Sequence, residues 1–412
     1  MKSFSNSVLF GKKILIGISG SIAAYKIPEL IRFFIKSGAE VKVLLTKSGA
    51  DFVSPLTLST VSCNEVVVDF IDQTKTKWNN HVDLALWPDL FLISPASANT
   101  ISKMANGICD NVLLATFLSS KCPVFCAPAM DRDMYLHKST THNLKIIKSR
   151  GVRVLDVETG ELASGLFGQG RMQDINKIFL KIEEYFLKSS PLFGKKILIT
   201  AGPTYEKIDP VRFIGNFSSG KMGCELAKHA ASKGAEIDLV IGPSDQTVLH
   251  PRINRIDIQN ADEMFEICNE KFKNVDIAIF SAAVCDFKPI KYNTEKIKDK
   301  SIVIKTQKNK DILKLLASKK ERQFVVGFAL ESNNEEANAI KKLKSKNMDM
   351  IVLNSLNDNM SCFQYDTNKV KIIDSELDIK TYPLMTKECV AVEVFSQILV
   401  NHTFVKLFNS NS

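Results

Sequence analysis

The sequence predicts an α/β protein made of two domains in series, each built on a mostly parallel sheet. Three observations carry that expectation. First, the octapeptide LFGKKILI at residues 9–16 recurs letter for letter at residues 192–199. Second, each copy ends in an apolar run of strand length and then meets a loop of small residues, GISGS at 17–21 and TAGPT at 200–204. Third, beyond each loop comes a helix-like segment and then a second strand opened by Gly-Ala-Glu, at residues 38–46 and 234–242. The order is strand, helix, strand, twice over. Parallel neighbours require a crossover helix, so both domains read as Rossmann-like. Ligands of such open sheets sit at the carboxyl ends of the strands, which makes both small-residue loops candidate binding sites.

Composition sets the frame. With 412 residues the chain exceeds one ordinary core, at roughly 150 residues per domain, and a division into residues 1–190 and 191–412 suits it. Apolar residues at 45% and charged residues at 24% are ordinary globular values. No apolar run approaches the ~20 residues of a membrane span, and the N-terminal segment carries no secretory apolar core, so a cytoplasmic protein without a membrane partner is expected. Nine cysteines, an odd number with no C-x-x-C pair, argue for reduced thiols rather than a disulfide framework or a zinc site. Cys122 and Cys126 are expected to flank a core strand. The net charge of +9 fits either nucleic acid or a polyphosphate ligand. Lysines gather at 288–310 and 341–346 without aromatic interleaving or a nucleic-acid module, which favours a nucleoside triphosphate over a bound polymer.

In the first half, the strand at 13–18 leads to Ser19, Gly20 and Ser21 at the start of a helix expected from residue 22 to 35. A helix N-terminus with small residues and hydroxyls is a ready phosphate site, although the loop alone fits a capped helix equally well. It is not a true G-x-G-x-x-G. The second strand ends in Thr46, where a dinucleotide site would put an acid for the ribose hydroxyl, which counts against NAD and leaves a mononucleotide such as FMN. A further strand at 90–94 opens into SPASANT, with Ser97 and Asn99, again at a carboxyl end. A strand at 124–126 leads into PAMDRDMY, with Ala129 and Asp131. Residues 160–172, GELASGLFGQGRM, form a glycine-rich flap, and loops of that kind inside a compact domain are usually functional or disordered.

GISGSIAAYK, His81-Val82-Asp83-Leu84, SPASANT, PAMDRDMY and the flap together resemble the FMN-dependent cysteine decarboxylases, as found in the first half of the bifunctional coenzyme A biosynthesis flavoproteins. The resemblance implies a flavodoxin-like domain with FMN held by Ser19, Gly20, Ser21, Thr46, Ser97, Asn99 and Ala129. It implies that FMN takes a hydride from the substrate's cysteine Cβ, that the resulting thioaldehyde lets the carboxylate leave, and that the hydride then returns. His81 would be the catalytic histidine of the H-x-x-L motif; alone, a histidine is more often a hydrogen-bonded structural residue. Two positions depart from the family pattern. Asp131 stands for an Asn, with Tyr135 for the following Trp, and Ser164 stands for the flap's proton-donating Cys. Asp131 and Ser164 are therefore the positions expected to handle the substrate carboxylate and the final protonation.

Residues 175–187 read as a closing helix, broken by Ser189-Ser190-Pro191. The second half then begins with the repeated octapeptide. Gly215 to Lys221 imitates a G-x-x-x-x-G-K phosphate loop, but Met222 stands where a magnesium-binding Ser or Thr belongs, so that reading is rejected. Ser218, Ser219 and Gly220 still open an amphipathic helix with good phosphate geometry. IDPVRFIGNFSSGKMG, a strand at 277–280 ending in SAAVCDFKP, then EKIK, KNKDI, VVGFALE and the lysines before a strand at 350–354 resemble the cytidylate-forming 4′-phosphopantothenate–cysteine ligases. By that resemblance Asn216 holds the acyl-cytidylate, Arg212 supports it and Lys296 belongs to a mobile loop. Ser281, Ala282, Ala283, Asp286, Lys296, Asn309, Lys310, Asp311, Ile312, Phe328, Lys342 and Lys346 would contact CTP, with Mg2+ drawing off pyrophosphate; no metal ligand is assigned.

The expected protein is thus a bifunctional enzyme, a decarboxylase followed by a CTP-binding ligase, acting on 4′-phosphopantothenate, cysteine and CTP, without nucleic acid. The family's flavin sites lie between subunits, which implies a homo-oligomer built on trimers. The alternative keeps the ligase and makes the first half a flavin-binding regulatory module without decarboxylase activity.

Overall fold

The computed structural model describes residues 7–71, 78–298, 301–355 and 365–408. They fall into two compact units, Met1–Phe186 and Leu187–Ser412. The dividing point lies within the helix Ile175–Lys188, a few residues before the boundary expected at 190.

The first unit carries β1 (Lys13–Ile18), β2 (Glu40–Leu45), β3 (Val66–Val67), β4 (Leu90–Ala96), β5 (Val124–Pro128) and β6 (Arg153–Val154). They pair in the order β3-β2-β1-β4-β5-β6, every pair parallel. A parallel sheet is covered on both faces, so its strands are continuous apolar runs rather than alternating ones. In β1, Ile14, Leu15, Ile16 and Ile18 are all fully buried. One helix, Ile27–Lys36, buries Ile27, Leu30, Ile31 and Phe34 at helical spacing. Another face packs Leu15, Phe91 and Ile93 against Ile101, Met104, Leu113, Leu144 and Ile147. The single helix expected over 22–35 is in fact a 3-10 turn, Ile22–Lys26, followed by the α-helix. Pro28 sits in the first turn of that helix, where its missing N–H is not needed. The glycine-rich flap is an antiparallel hairpin, β7 (Glu158–Glu161) and β8 (Phe167–Arg171).

The second unit contains β9 (Lys196–Ala201), β10 (Glu206–Lys207), β11 (Phe213–Ile214), β12 (Glu236–Ile241), β13 (Ile253–Asp257), β14 (Ile277–Phe280), β15 (Phe287–Pro289), β16 (Thr306–Lys308), β17 (Phe324–Glu331), β18 (Met350–Ser355), β19 (Thr367–Asn368), β20 (Val370–Asp374), β21 (Ile379–Thr381) and β22 (Met385–Thr386). Its main sheet has the order β13-β12-β9-β14-β17-β18-β20-β21. The pairs from β13 to β18 are parallel, and β20 and β21 add antiparallel edges.

The repeated octapeptide does the same work twice. Gly11 and Gly194 both have φ near +72°, a left-handed conformation that suits glycine, and their N–H groups donate to Gly38 and Gly234 carbonyls at 2.9 and 3.1 Å. Lys13 N and Lys196 N each donate at 2.9 Å to an aspartate, Asp89 and Asp276, immediately ahead of β4 and β14. Each copy therefore fixes the start of a central strand relative to both of its neighbours. No helix among the described residues is long and apolar enough to cross a membrane.

Candidate active sites

In each unit the strand order reverses at the central strand: β1 lies between β2 and β4, and β9 between β12 and β14. The loops leaving the two diverging strands splay apart there and open a crevice at their carboxyl ends.

In the first unit Ser19 bridges that crevice. Its Oγ donates to Pro95 O at 2.8 Å and accepts from Ser97 N at 2.9 Å. Above it lies an open cavity of about 610 Å³, into which the loop after β1, the loop after β4, the segment after β5 and the flap converge. Of the expected residues, Gly20, Ser21, Ser97, Ala129, Asp131 and Ser164 line it. Ser19, Thr46, Asn99 and His81 do not. Ser19 is buried beneath the cavity, and Thr46 caps the short helix Lys47–Ala50, accepting from Gly49 N at 3.1 Å. His81 opens the helix His81–Leu86, with its ring edge-on to Phe70 and Trp78 at 6.1 and 6.3 Å between centroids. Its Nδ1 is buried and has no hydrogen-bond partner among the described residues.

Tyr25, Lys26, Met130, Met134, Glu161, Arg171 and Met172 also line this cavity and were not singled out from sequence. Lys26 and Arg171 lie inside the quoted motifs, so the available signal was a cation within a small-residue motif. The flap is tied down at its root. Gly170 has φ +129°, and a Cβ there would come within 2.5 Å of Met130 O; Met130 N donates to Gly170 O at 3.1 Å. Ser94 Oγ contacts Met172 Sδ at 3.4 Å. Ser164 lies in the exposed turn closed by Gly165 N to Leu162 O at 2.9 Å. Asp131 N-caps the helix Arg132–Leu136, accepting from Arg132 N at 2.6 Å. Burial pushes the Cys126 thiol in β5 up to about 12, so it is a packing group.

In the second unit the crevice is bridged by Ser281, whose Oγ donates to Thr200 O at 2.6 Å, and by Ala283 N, which donates to Gly202 O at 2.9 Å. On the other side of the same loop Gly242, just after β12, packs so closely that a Cβ there would lie 1.6 Å from Pro203 O. Beside it is a cavity of about 520 Å³. Ala282, Asp286, Asn309, Lys310, Asp311, Ile312, Phe328 and Lys346 line it, together with Thr200, Met264, Phe280, Val284, Cys285, Phe287, Lys308 and Leu313. Ser281, Ala283, Lys296 and Lys342 do not. Ser281 and Ala283 hold the crevice together, and Lys342 pairs with Glu331 at 2.6 Å.

Asn309 is fixed by its backbone N–H to Asp286 O at 2.8 Å and by Nδ2 to Cys285 O at 2.9 Å, which leaves its Oδ1 buried without a partner among the described residues. Lys346 pairs with Asp311 at 2.9 Å, and Lys310 stands over the Phe265 ring at 4.5 Å. Burial, with Glu206 and Asp286 close by, raises the Cys285 thiol and keeps it neutral. Asn216 reaches the rim, where Nδ2 donates to Ala283 O at 3.0 Å and to Val284 O at 3.3 Å. The lysine segment is held by the turn between β10 and β11: Arg212 Nη2 donates to Ile297 O at 2.7 Å, and Asp209 accepts from Ile297 N at 3.3 Å. Burial would raise the Asp209 carboxyl, but the backbone N–H groups of Val211, Arg212 and Ile297 and the Arg212 charge outweigh it and hold the group below its ordinary range. Among the described residues no cluster of three His, Cys, Asp or Glu side chains is placed to hold a metal ion.

Two family models match the chain, "Flavoprotein" over residues 4–187 and "DNA/pantothenate metabolism flavoprotein C-terminal domain" over residues 192–401. The chain is 39% identical over 395 residues to the coenzyme A biosynthesis bifunctional protein CoaBC of Bacillus subtilis (strain 168), covering 95% of this chain and 97% of that one. To the protein of the same name from Escherichia coli (strain K12) it is 37% identical over 400 residues, with 96% and 98% covered. It is also 49% identical over 354 residues to a cysteine/cysteine sulfinic acid decarboxylase of an unknown prokaryotic organism, covering 84% of this chain and 99% of that one.

Proposed function

This chain belongs to the family of bifunctional coenzyme A biosynthesis proteins, and on that footing we propose which residues of each half perform its chemistry. It is an enzyme with a flavoprotein decarboxylase half and a ligase half. The division at residues 190 and 191 assigns residues 1–190 to the first activity and 191–412 to the second. The bifunctional relatives span both halves, which disfavours a purely regulatory first half.

In the ligase half, CTP occupies the cavity beside β14 and β17. One observation carries this reading: the Asn309 Oδ1 is buried, without a partner among the described residues, in a cavity that also presents Lys308, Lys310 and Lys346. A buried acceptor needs a donor, and the cytosine amino group is one, while the lysines suit a triphosphate. Mg2+ enters with the phosphates, since that ion is usually held by few protein ligands. The carboxylate of 4′-phosphopantothenate attacks the α-phosphate and expels pyrophosphate, and the cysteine amine then attacks the acyl carbon and releases CMP. Lys296 stabilises the developing charge, and Asn216, held by its amide nitrogen, presents Oδ1 to the incoming cysteine amine.

In the decarboxylase half, FMN fits the first cavity: Ser21 and Ser97 offer hydroxyls, Lys26 and Arg171 offer charge for a phosphate, and Met130, Met134 and Met172 offer apolar surface. When bound, FMN supplies the acceptor and later the donor of a hydride. Asp131 faces the leaving carboxylate, and Ser164 on the flap carries the proton path to the substrate sulfur's carbon skeleton. His81 is supplied to a neighbouring subunit's cavity in a homo-oligomer built on trimers. The exposed apolar side chains of Ile71, Trp78 and Leu86 around it support this. A cytoplasmic location is supported by the odd cysteine count without a C-x-x-C pair and by the coenzyme A pathway of its relatives.

The test supplies the purified full chain with 4′-phosphopantothenate, CTP, Mg2+ and cysteine. Pyrophosphate, carbon dioxide and 4′-phosphopantetheine are expected, with FMN released on heating. Absence of pyrophosphate overturns the ligase assignment, and absence of carbon dioxide overturns the decarboxylase. The relative at 49% identity favours one second reading, that the first half also decarboxylates free cysteine. Carbon dioxide from cysteine without CTP would establish it.

A further inference from the structure

We propose that Asp209 is the positioning residue of the ligase half: its carboxylate, with Arg212, grips Ile297 from both sides and thereby aims the adjacent Lys296. The inference rests on the ligase reading of the second unit.

Asp209 is 1% exposed. Its Oδ1 accepts from Val211 N and Arg212 N, both at 2.8 Å, inside the turn that joins β10 to β11. An aspartate that merely closes a turn needs only that one oxygen. Here Oδ2 is used as well, and it accepts from Ile297 N at 3.3 Å, from a residue 88 positions along the chain. Arg212 Nη2 donates to Ile297 O at 2.7 Å, with Nη1 3.7 Å from Asp209 Oδ2. Ile297 is therefore bound at its N–H and at its carbonyl by two side chains that also hold one another. Asn293 N adds a bond to Ile208 O at 3.0 Å, which lays the segment 293–297 along the same turn. Lys296 and Lys298 flank the gripped residue. Their backbone direction is set before any nucleotide arrives, so less ordering remains for the reactive complex. Through this clamp Arg212 also orders the segment that carries Lys296.

The two oxygens can be separated by substitution. Asp209→Asn keeps an acceptor for the turn but puts an amide donor opposite Ile297 N–H, and Asp209→Ser keeps a turn acceptor and has no second oxygen. Both are made in the full chain, alone and with Lys296→Gln. Pyrophosphate release from CTP and 4′-phosphopantothenate is measured without cysteine, and tryptic cleavage after Lys296 and Lys298 is timed by mass spectrometry without nucleotide. The single Asp209 variants are expected to lose about tenfold to a hundredfold in the single-turnover rate of pyrophosphate release. The double variants should be no slower than Lys296→Gln alone, and cleavage after 296 and 298 should quicken while other sites hold their rates. Losses that multiply in the double variants, unchanged cleavage, or unfolding of both Asp209 variants seen by circular dichroism would each overturn the proposal. If the wild type releases no pyrophosphate, the ligase reading fails, and the cleavage rates still decide whether the clamp exists.

Discussion

Ser19 and Ser97 are joined across the carboxyl ends of β1 and β4: the Ser19 hydroxyl accepts from Ser97 N at 2.9 Å while donating to Pro95 O at 2.8 Å. A 1%-exposed side chain thereby sets the spacing of the two loops that line the first cavity. Ser19→Ala should leave a buried N–H short of its partner, at a cost of about 1–3 kcal/mol. We expect a lower Tm and FMN affinity weakened roughly tenfold by fluorescence titration of the apoprotein, with ligase activity retained. Unchanged FMN affinity would show that the loops hold their spacing without this bond.

Asp131 and Ser164 line the same cavity, and they replace the residue types expected of the family. If Asp131 donates a hydrogen bond to the leaving carboxylate and Ser164 relays the proton onward, their effects should couple. Asp131→Asn alone should slow carbon dioxide release or flavin reoxidation by roughly 10²-fold, and adding Ser164→Cys should restore much of it. Strictly additive rates across pH would separate the two roles.

Asn309 offers a test of base selection. Removing its unpartnered acceptor with Asn309→Ala should weaken CTP binding by about tenfold and narrow the preference for CTP over UTP, because a lost hydrogen bond is felt only by the base that made it. Competition between the two nucleotides for pyrophosphate release reads this directly. An unchanged ratio would place the cytosine elsewhere.

His229 makes the stability of the second unit depend on pH. Burial, aided by the Lys233 charge, lowers its pKa from 6.5 to about 4, with its ring packed on Phe395 at 5.5 Å. The unfolded chain takes up this proton first as pH falls. Stability is therefore complete above pH 6.5 and declines down to about 4, a loss of about 3 kcal/mol at most. Urea unfolding between those limits should show the slope, and His229→Gln should flatten it.

Much of this architecture was legible in the chain itself. The duplicated octapeptide, the apolar runs such as 277–280 and the Gly-Ala-Glu starts marked the central strands of both sheets, because a strand buried on both faces must be a continuous apolar run. The small-residue loops were legible for the same kind of reason: only small side chains fit where neighbouring loops pass this closely, as the 1.6 Å approach of a Gly242 Cβ to Pro203 O shows. The 3-10 turn before Pro28 has its local signature in the proline, which cannot continue an α-helix from the residues ahead of it.

The tertiary structure alone decided which polar residues face the cavities. Ser19 and Ser21 are two positions apart, yet one is buried as a bridge and the other lines the first cavity. Thr46 became a helix cap, and Lys342 found Glu331 while Lys346 found Asp311. The meeting of Asp209 with Ile297 likewise has no local signature, because it joins residues 88 positions apart. Sequence periodicity records which side of an element is apolar, a property each segment carries alone. A hydrogen bond between distant loops depends on distances of a few tenths of an ångström, and those exist only after both sheets have packed and fixed where their loops end.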